Sequence, residues 1–302
     1  MTTKPKLKAI WSFWSKPFEA HRRFSWPSER HHLFAWVLSV ETARQHYPDT
    51  SLITDDAGAR MLVDRLGLPF TCVSTELNAL EQHNPDWWAL GKIYAYRMQT
   101  QPFVHIDNDV FLWKPLPARL ECADVFAQNP EPISASTPYY QPERFAHALN
   151  PTAKGWLPEE WHWYQRTHHN QAICCGIFGG NRIDFIQHFS NASLRLIEDP
   201  ANSHALELLH DKRMLMLVVE QYLLSAFVDY HKTATVLPLG NIRIEYLYNS
   251  MADHWNPDYA AHAGFTHLAA DAKQNPLIAH RLENRVRSDY PEHYQRCMAY
   301  SP

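Results

Sequence analysis

The stretch Phe103-Val104-His105-Ile106-Asp107-Asn108-Asp109-Val110 carries two carboxylates, one residue apart, directly after a short apolar run. Alternate residues of a strand point to the same side, so Asp107 and Asp109 can converge on one hard cation. The usual enzymatic partner of such a cation is a phosphate-bearing substrate. Two neighbouring anions raise each other's pKa, and a divalent metal removes that penalty. An oxygen-only donor pair points to Mg²⁺ or Mn²⁺ rather than zinc.

The elements that must position this pair read as alternating strands and helices. Leu7 to Trp14 forms a first strand, with Ser12 near its end. Ser28 to His46 has apolar residues at helical spacing, with Ser28 as N-cap and Tyr47-Pro48 as the stop. Ser51 to Thr54 is a second strand ending at Asp55, followed by a helix over Ala57 to Leu66 that Gly67 closes. Phe70 to Ser74 is a third strand, and Asp86 to Gln99 an amphipathic helix feeding Phe103–Ile106. Such alternation predicts an α/β fold with a mostly parallel sheet. Ligands of open parallel sheets gather at the carboxyl ends of the strands, where Ser12, Asp55, Asp107 and Asp109 all fall.

From Asn129 to Asn170 the periodicity breaks into a proline-rich stretch with Tyr139, Tyr140, Trp156, Trp161, Trp163 and Tyr164. Its aromatic content argues for a folded excursion over the cleft rather than disorder. Order returns with a buried strand over Ala172–Phe178 ending in Gly179-Gly180. Helices follow at Asp184–Ile197 and from about Ser203 to Tyr230, the second broken near His210-Asp211. Thr233–Leu237 reads as a last strand and Asn275–Ala299 as a helical tail. The whole chain, 1–302, thus reads as one domain, with a first half over 1–128, an insertion or lid over 129–170, and a second half with its tail over 171–302.

A chain of 302 residues buries a substantial core, and its formal charge of -4 gives no electrostatic reason to expect nucleic acid as a partner. No apolar run reaches the roughly 20 residues needed to span a bilayer. The basic start, Met1 to Lys8, is followed by no signal-peptide core. Five scattered cysteines without CxxC pairing indicate neither a disulfide framework nor a zinc cluster. A reduced, cytoplasmic protein is the expectation. Eleven Trp, fourteen Tyr and fourteen Phe beside nine Gly fit an aromatic-rich core, or flat cleft walls on which sugar rings stack.

At the carboxylate pair the chain resembles the nucleotide-sugar-dependent glycosyltransferases of the GT-A fold, in particular the glycogenin-like and capsular-polysaccharide-type enzymes. The resemblance runs through Lys92, Pro102 to Val110, Gly176-Ile177-Phe178-Gly179-Gly180, Glu220-Gln221, Phe265-Thr266-His267-Leu268 and Lys273. It departs at the Gly-x-x-Lys ending, where Leu268-Ala269-Ala270-Asp271-Ala272 intervenes before Lys273. The resemblance implies a GT-A-like, Rossmann-like sheet and His267 as a third metal ligand beside Asp107 and Asp109. It implies transfer of a sugar from a nucleotide sugar, a UDP-sugar above others, to a saccharide, glycolipid or glycoprotein acceptor, with Mn²⁺ or Mg²⁺. Lys92 or Lys273 would then supply further positive charge to the leaving diphosphate. Trp11, Ser12 and Asp55 would meet the base and ribose and Asn108 the ribose or donor sugar; the glycines Gly176 and Gly179-Gly180 either bring backbone close to the sugar or simply make a tight strand-to-helix turn.

Glu220 and Gln221 interrupt the apolar run Met214 to Val228. A carboxylate there is costly unless paired or functional. It either anchors a local hydrogen-bond network or, with Gln221, stands near the acceptor hydroxyl as base or orienting group. His162, His168 and His169 match no familiar zinc spacing and read as structural, as does His105 inside its strand. Arg281, Arg285, Arg287 and Arg296 read as a solvated helix face, diluted by Glu283, Asp289 and Glu292. Their other use is peripheral contact with an anionic membrane, which would place the protein at its inner face. Two further functions fit the sheet: a sugar-nucleotide nucleotidyltransferase, disfavoured by the glycine-free Ser12 to Phe18 loop, and a non-catalytic carbohydrate-binding protein, disfavoured by the intact Asp107 and Asp109.

Overall fold

Alternation along the first strand divides the core in two. β1 (Lys8–Phe13) sends Ala9, Trp11 and Phe13 into one apolar cluster and Ile10 into the other. In the computed structural model, which describes residues 7–21, 26–134, 137–149, 155–167, 169–233 and 239–300, a seven-stranded sheet separates these clusters. Its order is β3-β2-β1-β4-β7-β6-β8, with β2 Thr50–Thr54, β3 Cys72–Ser74, β4 Phe103–Ile106, β6 Val125–Pro132, β7 Gln171–Gly180 and β8 Ile244–Tyr246. β7 runs antiparallel to β4 and β6; the remaining pairings are parallel. A two-stranded ribbon, β5 (Val110–Leu112) with β9 (Phe265–His267), stands beside the sheet. The α/β architecture and its mostly parallel sheet are those expected from the sequence.

One face of the sheet is covered by the Leu90–Arg97 and Ile183–Glu198 helices and by the apolar run from Lys212 to Thr233. The other is covered by the Glu29–Arg44 helix and the C-terminal pair Pro276–Asp289 and Pro291–Tyr300. The break expected near His210-Asp211 falls after the Pro200–Leu208 helix. The run beyond it widens into a π-helical turn at Val218–Tyr222, which carries both Glu220 and Gln221. Such turns mark local strain inside helices and recur at functional sites.

Several expectations need correcting. Ser28 is the N-cap residue, but its side chain makes no capping hydrogen bond; its hydroxyl meets His31 Nδ1 at 2.8 Å. The helix expected over Asp86–Gln99 is regular only from Leu90 to Arg97. β7 starts at Gln171 rather than Ala172 and ends, as expected, in Gly179-Gly180. Thr233 ends a helix, and the rest of the strand expected there, 234–237, lies outside the described residues, as does His168. The stretch 129–170 contains the end of β6 and the Pro142–Leu149 and Glu159–Arg166 helices, with Trp161 and Tyr164 sealed in the core. Among the described residues no helix is long and apolar enough to cross a membrane.

Candidate metal and substrate site

β4 ends at Ile106, and the chain turns on Asp107, whose backbone N–H donates to Gly176 of β7 at 3.0 Å and whose carbonyl accepts from Val110 at 3.0 Å. β5 then pairs with β9 so that Val110 lies opposite His267, and Leu268 N–H donates to the Asp109 carbonyl at 3.0 Å. This register carries His267 from far down the chain to the carboxylate pair. Ligand atoms of Asp107, Asp109 and His267 all lie within 4.8 Å of one another.

The charges around these groups form two ion-paired halves. Lys92 Nζ lies 3.0 Å from Asp107 and 2.7 Å from Glu220 Oε1, and donates to the Cys175 carbonyl at 3.3 Å. Burial alone would lower the Lys92 ammonium, but the Asp107 and Glu220 carboxylates hold its pKa well above the ordinary value. Lys273 pairs with Asp109 Oδ2, while His267 Nε2 lies 3.5 Å from Asp109 Oδ1. That Oδ1 is buried and has no hydrogen-bond partner. Burial pushes Asp107 up to about 7, assisted by Asp109 and Glu220 against Lys92. Burial also acts to raise Asp109, but Lys273 and His267 outweigh it and hold its carboxyl below the usual range.

His267 is kept neutral, its pKa lowered to about 4 by burial first and then by Lys273. Its Nδ1–H donates to Gln128 Oε1 at 2.8 Å, which leaves the Nε2 lone pair for a ligand. An orphaned carboxylate oxygen, a second carboxylate and a neutral imidazole with a fixed tautomer fit a divalent cation. Lys273 reaches this site although Leu268 to Ala272 stand between it and His267. A short helical turn, Ala270–Gln274, takes up the slack, with Ala270 in the left-handed region at φ 46°.

The other candidate residues divide. Ser12 faces the site, its hydroxyl 2.9 Å from His105 Nε2. Trp11, its neighbour on the strand, points the opposite way and is fully buried, so it is in no position to meet a base. Its indole N–H donates to Ser39 Oγ at 2.8 Å, and Ser39 donates to the Asp107 carbonyl at 3.0 Å. Trp11 therefore braces the turn from behind. Asp55 is likewise committed: Oδ1 accepts from Gly58 N–H at 2.7 Å, and Oδ2 accepts from the Ser15 backbone N–H at 2.7 Å and its hydroxyl at 2.8 Å. It joins two strand ends and leaves ribose recognition without a free oxygen there. Asn108 is half-buried, its amide 3.4 Å from His32 Nδ1.

Glu220 is completely buried behind Lys92, with Tyr96 donating a long hydrogen bond of 3.4 Å to its Oε1. A group sealed this way cannot touch an acceptor, so the base or orienting role is replaced by that of an anchor for Lys92. Gln221, one residue on, is only half-buried and meets the Tyr140 hydroxyl, which donates to Glu131 at 2.7 Å. The glycines are also reassigned. A Cβ on Gly176 would lie 2.2 Å from Gln128 Oε1 and 2.7 Å from His267 Nδ1, and one on Gly179 would lie 2.0 Å from the Phe103 carbonyl oxygen. Gly176 makes room for the imidazole and its brace, and Gly179 lets β7 and β4 approach. His162 and His169 are exposed, His169 pairing with Asp229 at 2.9 Å, and His105 is buried within β4.

Gln128 and Ser39 are the participants that sequence reasoning missed. Pro130 and Pro132 made the strand carrying Gln128 look like loop, although β6 meets β8 only over Val125–Ala127 and prolines are tolerated beyond that span. Ser39 lies within a helix otherwise read as core, and a polar residue on its buried face was the available signal.

A family model described as "Family of unknown function (DUF6734)" matches residues 7–300, and the chain belongs to that family. No curated protein matches. Among solved structures, the apo structure of the bifunctional glycosyltransferase WbbM is similar to 99% of this chain at 13% identity and a TM-score of 0.44. The similarity covers 53% of that structure, so this chain spans about half its length.

Proposed function

We propose that this member of a family of unknown function is a metal-dependent glycosyltransferase. It takes a sugar from a nucleotide sugar, foremost a UDP-sugar, and passes it to a saccharide, glycolipid or glycoprotein acceptor. The observation that carries this reading is the convergence of Asp107, Asp109 and His267 within 4.8 Å of one another, flanked by two lysines. Asp107, Asp109 and His267 would hold Mn²⁺ or Mg²⁺. When bound, that ion supplies Lewis-acid compensation for the charge growing on a departing diphosphate.

The chain's own residues do the rest. Lys273 is the more accessible ammonium, and exchanging Asp109 for a phosphate oxygen gives it a role in binding the diphosphate. Lys92 is held by Glu220, orients Asp107 and opposes the rise in its pKa. Ser12 and Asn108 border the donor, and Gln221 with Tyr140 borders the acceptor. The Arg-bearing tail is partly paired within itself, Arg285 with Asp289 at 2.6 Å and Arg287 with Glu283 at 3.2 Å, as a solvated face requires.

The test is a nucleotide-sugar hydrolysis screen with Mn²⁺, Mg²⁺ or EDTA. Metal-dependent release of one nucleoside diphosphate, lost in Asp109→Ala, supports the proposal. Pyrophosphate release from a nucleoside triphosphate and a sugar phosphate would replace it with nucleotidyl transfer. Absence of both turnover and nucleotide binding would overturn it in favour of a non-catalytic protein.

A further inference from the structure

Away from the carboxylate pair, three helices bring Glu160, His188 and His231 to one point. Glu160 lies on Glu159–Arg166, His188 on Ile183–Glu198 and His231 on Leu223–Thr233. His188 Nε2 is 3.1 Å and His231 Nε2 is 3.2 Å from the same oxygen, Glu160 Oε1. The three ligand atoms lie within 4.8 Å of one another. Ligands about 2.0 Å from a tetrahedral ion stand about 3.3 Å apart, so both measured separations match edges of such a shell.

The surroundings also suit an ion. Glu160 and His231 are buried, whereas the His188 side chain is 42% exposed, which gives an entry path and room for a water ligand. Phe185, Phe227 and Tyr230 pack around the His231 ring and form an apolar wall. Two imidazoles with one carboxylate select a borderline transition ion over Mg²⁺ or Ca²⁺.

We propose that Glu160, His188 and His231 form a second metal site, for Zn²⁺ or an ion of its class, distinct from the Asp107/Asp109/His267 corner. The helix bearing Glu160 belongs to the segment between β6 and β7. The helix bearing His231 continues directly from the π-helical turn that carries Glu220 and Gln221. An ion here bolts that segment to the helix behind the candidate substrate site, and stabilises the native state by mass action.

The experiment uses the full chain, treated with chelator, in an Asp109→Ala background so that the first corner does not compete. Titration with ZnCl₂ is followed by calorimetry, and Co²⁺ absorption reports the coordination geometry. Binding of one ion per chain, tetrahedral Co²⁺ bands and a Zn²⁺-dependent rise in Tm are expected. Adding His188→Ala, a solvent-facing change, should weaken binding on the order of 100-fold or more, and Glu160→Gln at least about 10-fold. The idea is overturned if folded Asp109→Ala protein binds no Zn²⁺, as two neutral imidazoles merely donating to Glu160 would predict. Binding unaltered by His188→Ala overturns it equally. Should Asp109→Ala not fold, Asp109→Asn takes its place.

Discussion

Gln128 Oε1 accepts the Nδ1–H of His267 at 2.8 Å, and the opposite nitrogen of the same ring faces Asp109 at 3.5 Å. The amide thereby decides which tautomer the imidazole adopts and where its lone pair points. Gln128 is itself held, its amide N–H₂ lying 3.1 Å from Asn129 Oδ1 and 2.9 Å from His254 Nδ1. Replacing Gln128 by Leu frees the ring to rotate. Mn²⁺ affinity should fall about 10–100-fold, the usual cost of losing a brace behind a metal ligand. Calorimetric titration reads this directly, and undiminished affinity would remove Gln128 from the site.

Two glycines of β7 should fail in different ways. Gly176→Ala places a methyl group against Gln128 and His267, so donor hydrolysis should drop steeply while the melting temperature changes little. Gly179→Ala instead collides with the Phe103 backbone and should cost about 1–3 kcal/mol or more of stability, the range for overpacking. Thermal melts beside activity assays separate the two. Equal loss of stability in both would refute the distinction.

Lys92 bridges two carboxylates at the core's edge, and Glu220 is fully buried. Lys92→Met strands that charge and should cost about 3–5 kcal/mol in denaturant unfolding. Adding Glu220→Leu should recover a large part of the loss. A double variant whose cost is simply the sum of the two singles would argue against the pairing.

Ser39 links Trp11 to the Asp107 carbonyl. In Ser39→Ala the buried indole N–H loses its acceptor, at a cost of about 1–3 kcal/mol. Metal affinity should fall too, because the turn loses its rear support. Metal affinity equal to that of the unaltered protein would reduce Ser39 to a packing residue.

His32 is buried beneath Phe18, and burial lowers its pKa from 6.5 to about 3, with Lys273 adding to the effect. Between these values the unfolded chain binds a proton that the folded chain refuses. Stability contributed by the neutral ring is therefore present above pH 6.5 and lost as pH falls toward 3. From pH 6.5 to 5 the loss through this group is about 2 kcal/mol, at 1.36 kcal/mol per unit. His32→Gln should flatten the acid limb of the stability profile by a comparable amount; parallel limbs would count against it.

The regular parts of the fold were legible because their periodicities are long or their ends are marked. Phe103–Ile106 emerges with its boundaries intact, and the 16-residue helix Glu29–Arg44 follows its apolar spacing. The carboxylate pair was visible because it ends such a strand. The ribbon that completes the site consists of two three-residue strands, too short to carry a pattern of their own. Only family resemblance brought His267 forward. Trp11 and Ser12 show a different limit: adjacent strand residues point to opposite faces, so the two could not both face the ligand to which both were assigned. For Glu220 the sequence announced a costly buried charge, but Lys92, its partner, lies on a separate helix.

The ribbon also sets an order of events during synthesis. Both aspartates, Lys92 and Gln128 leave the ribosome well before His267, which lies 139 residues beyond Gln128. Pairing across such a separation comes late, because the loop must close before the contact rewards it. A nascent chain can thus assemble β1, β2 and β4 while the Asp107/Asp109 corner is still open on one side. The His267 side of that corner is added only when β9 docks on β5, so the candidate site is among the last parts of the fold to be completed.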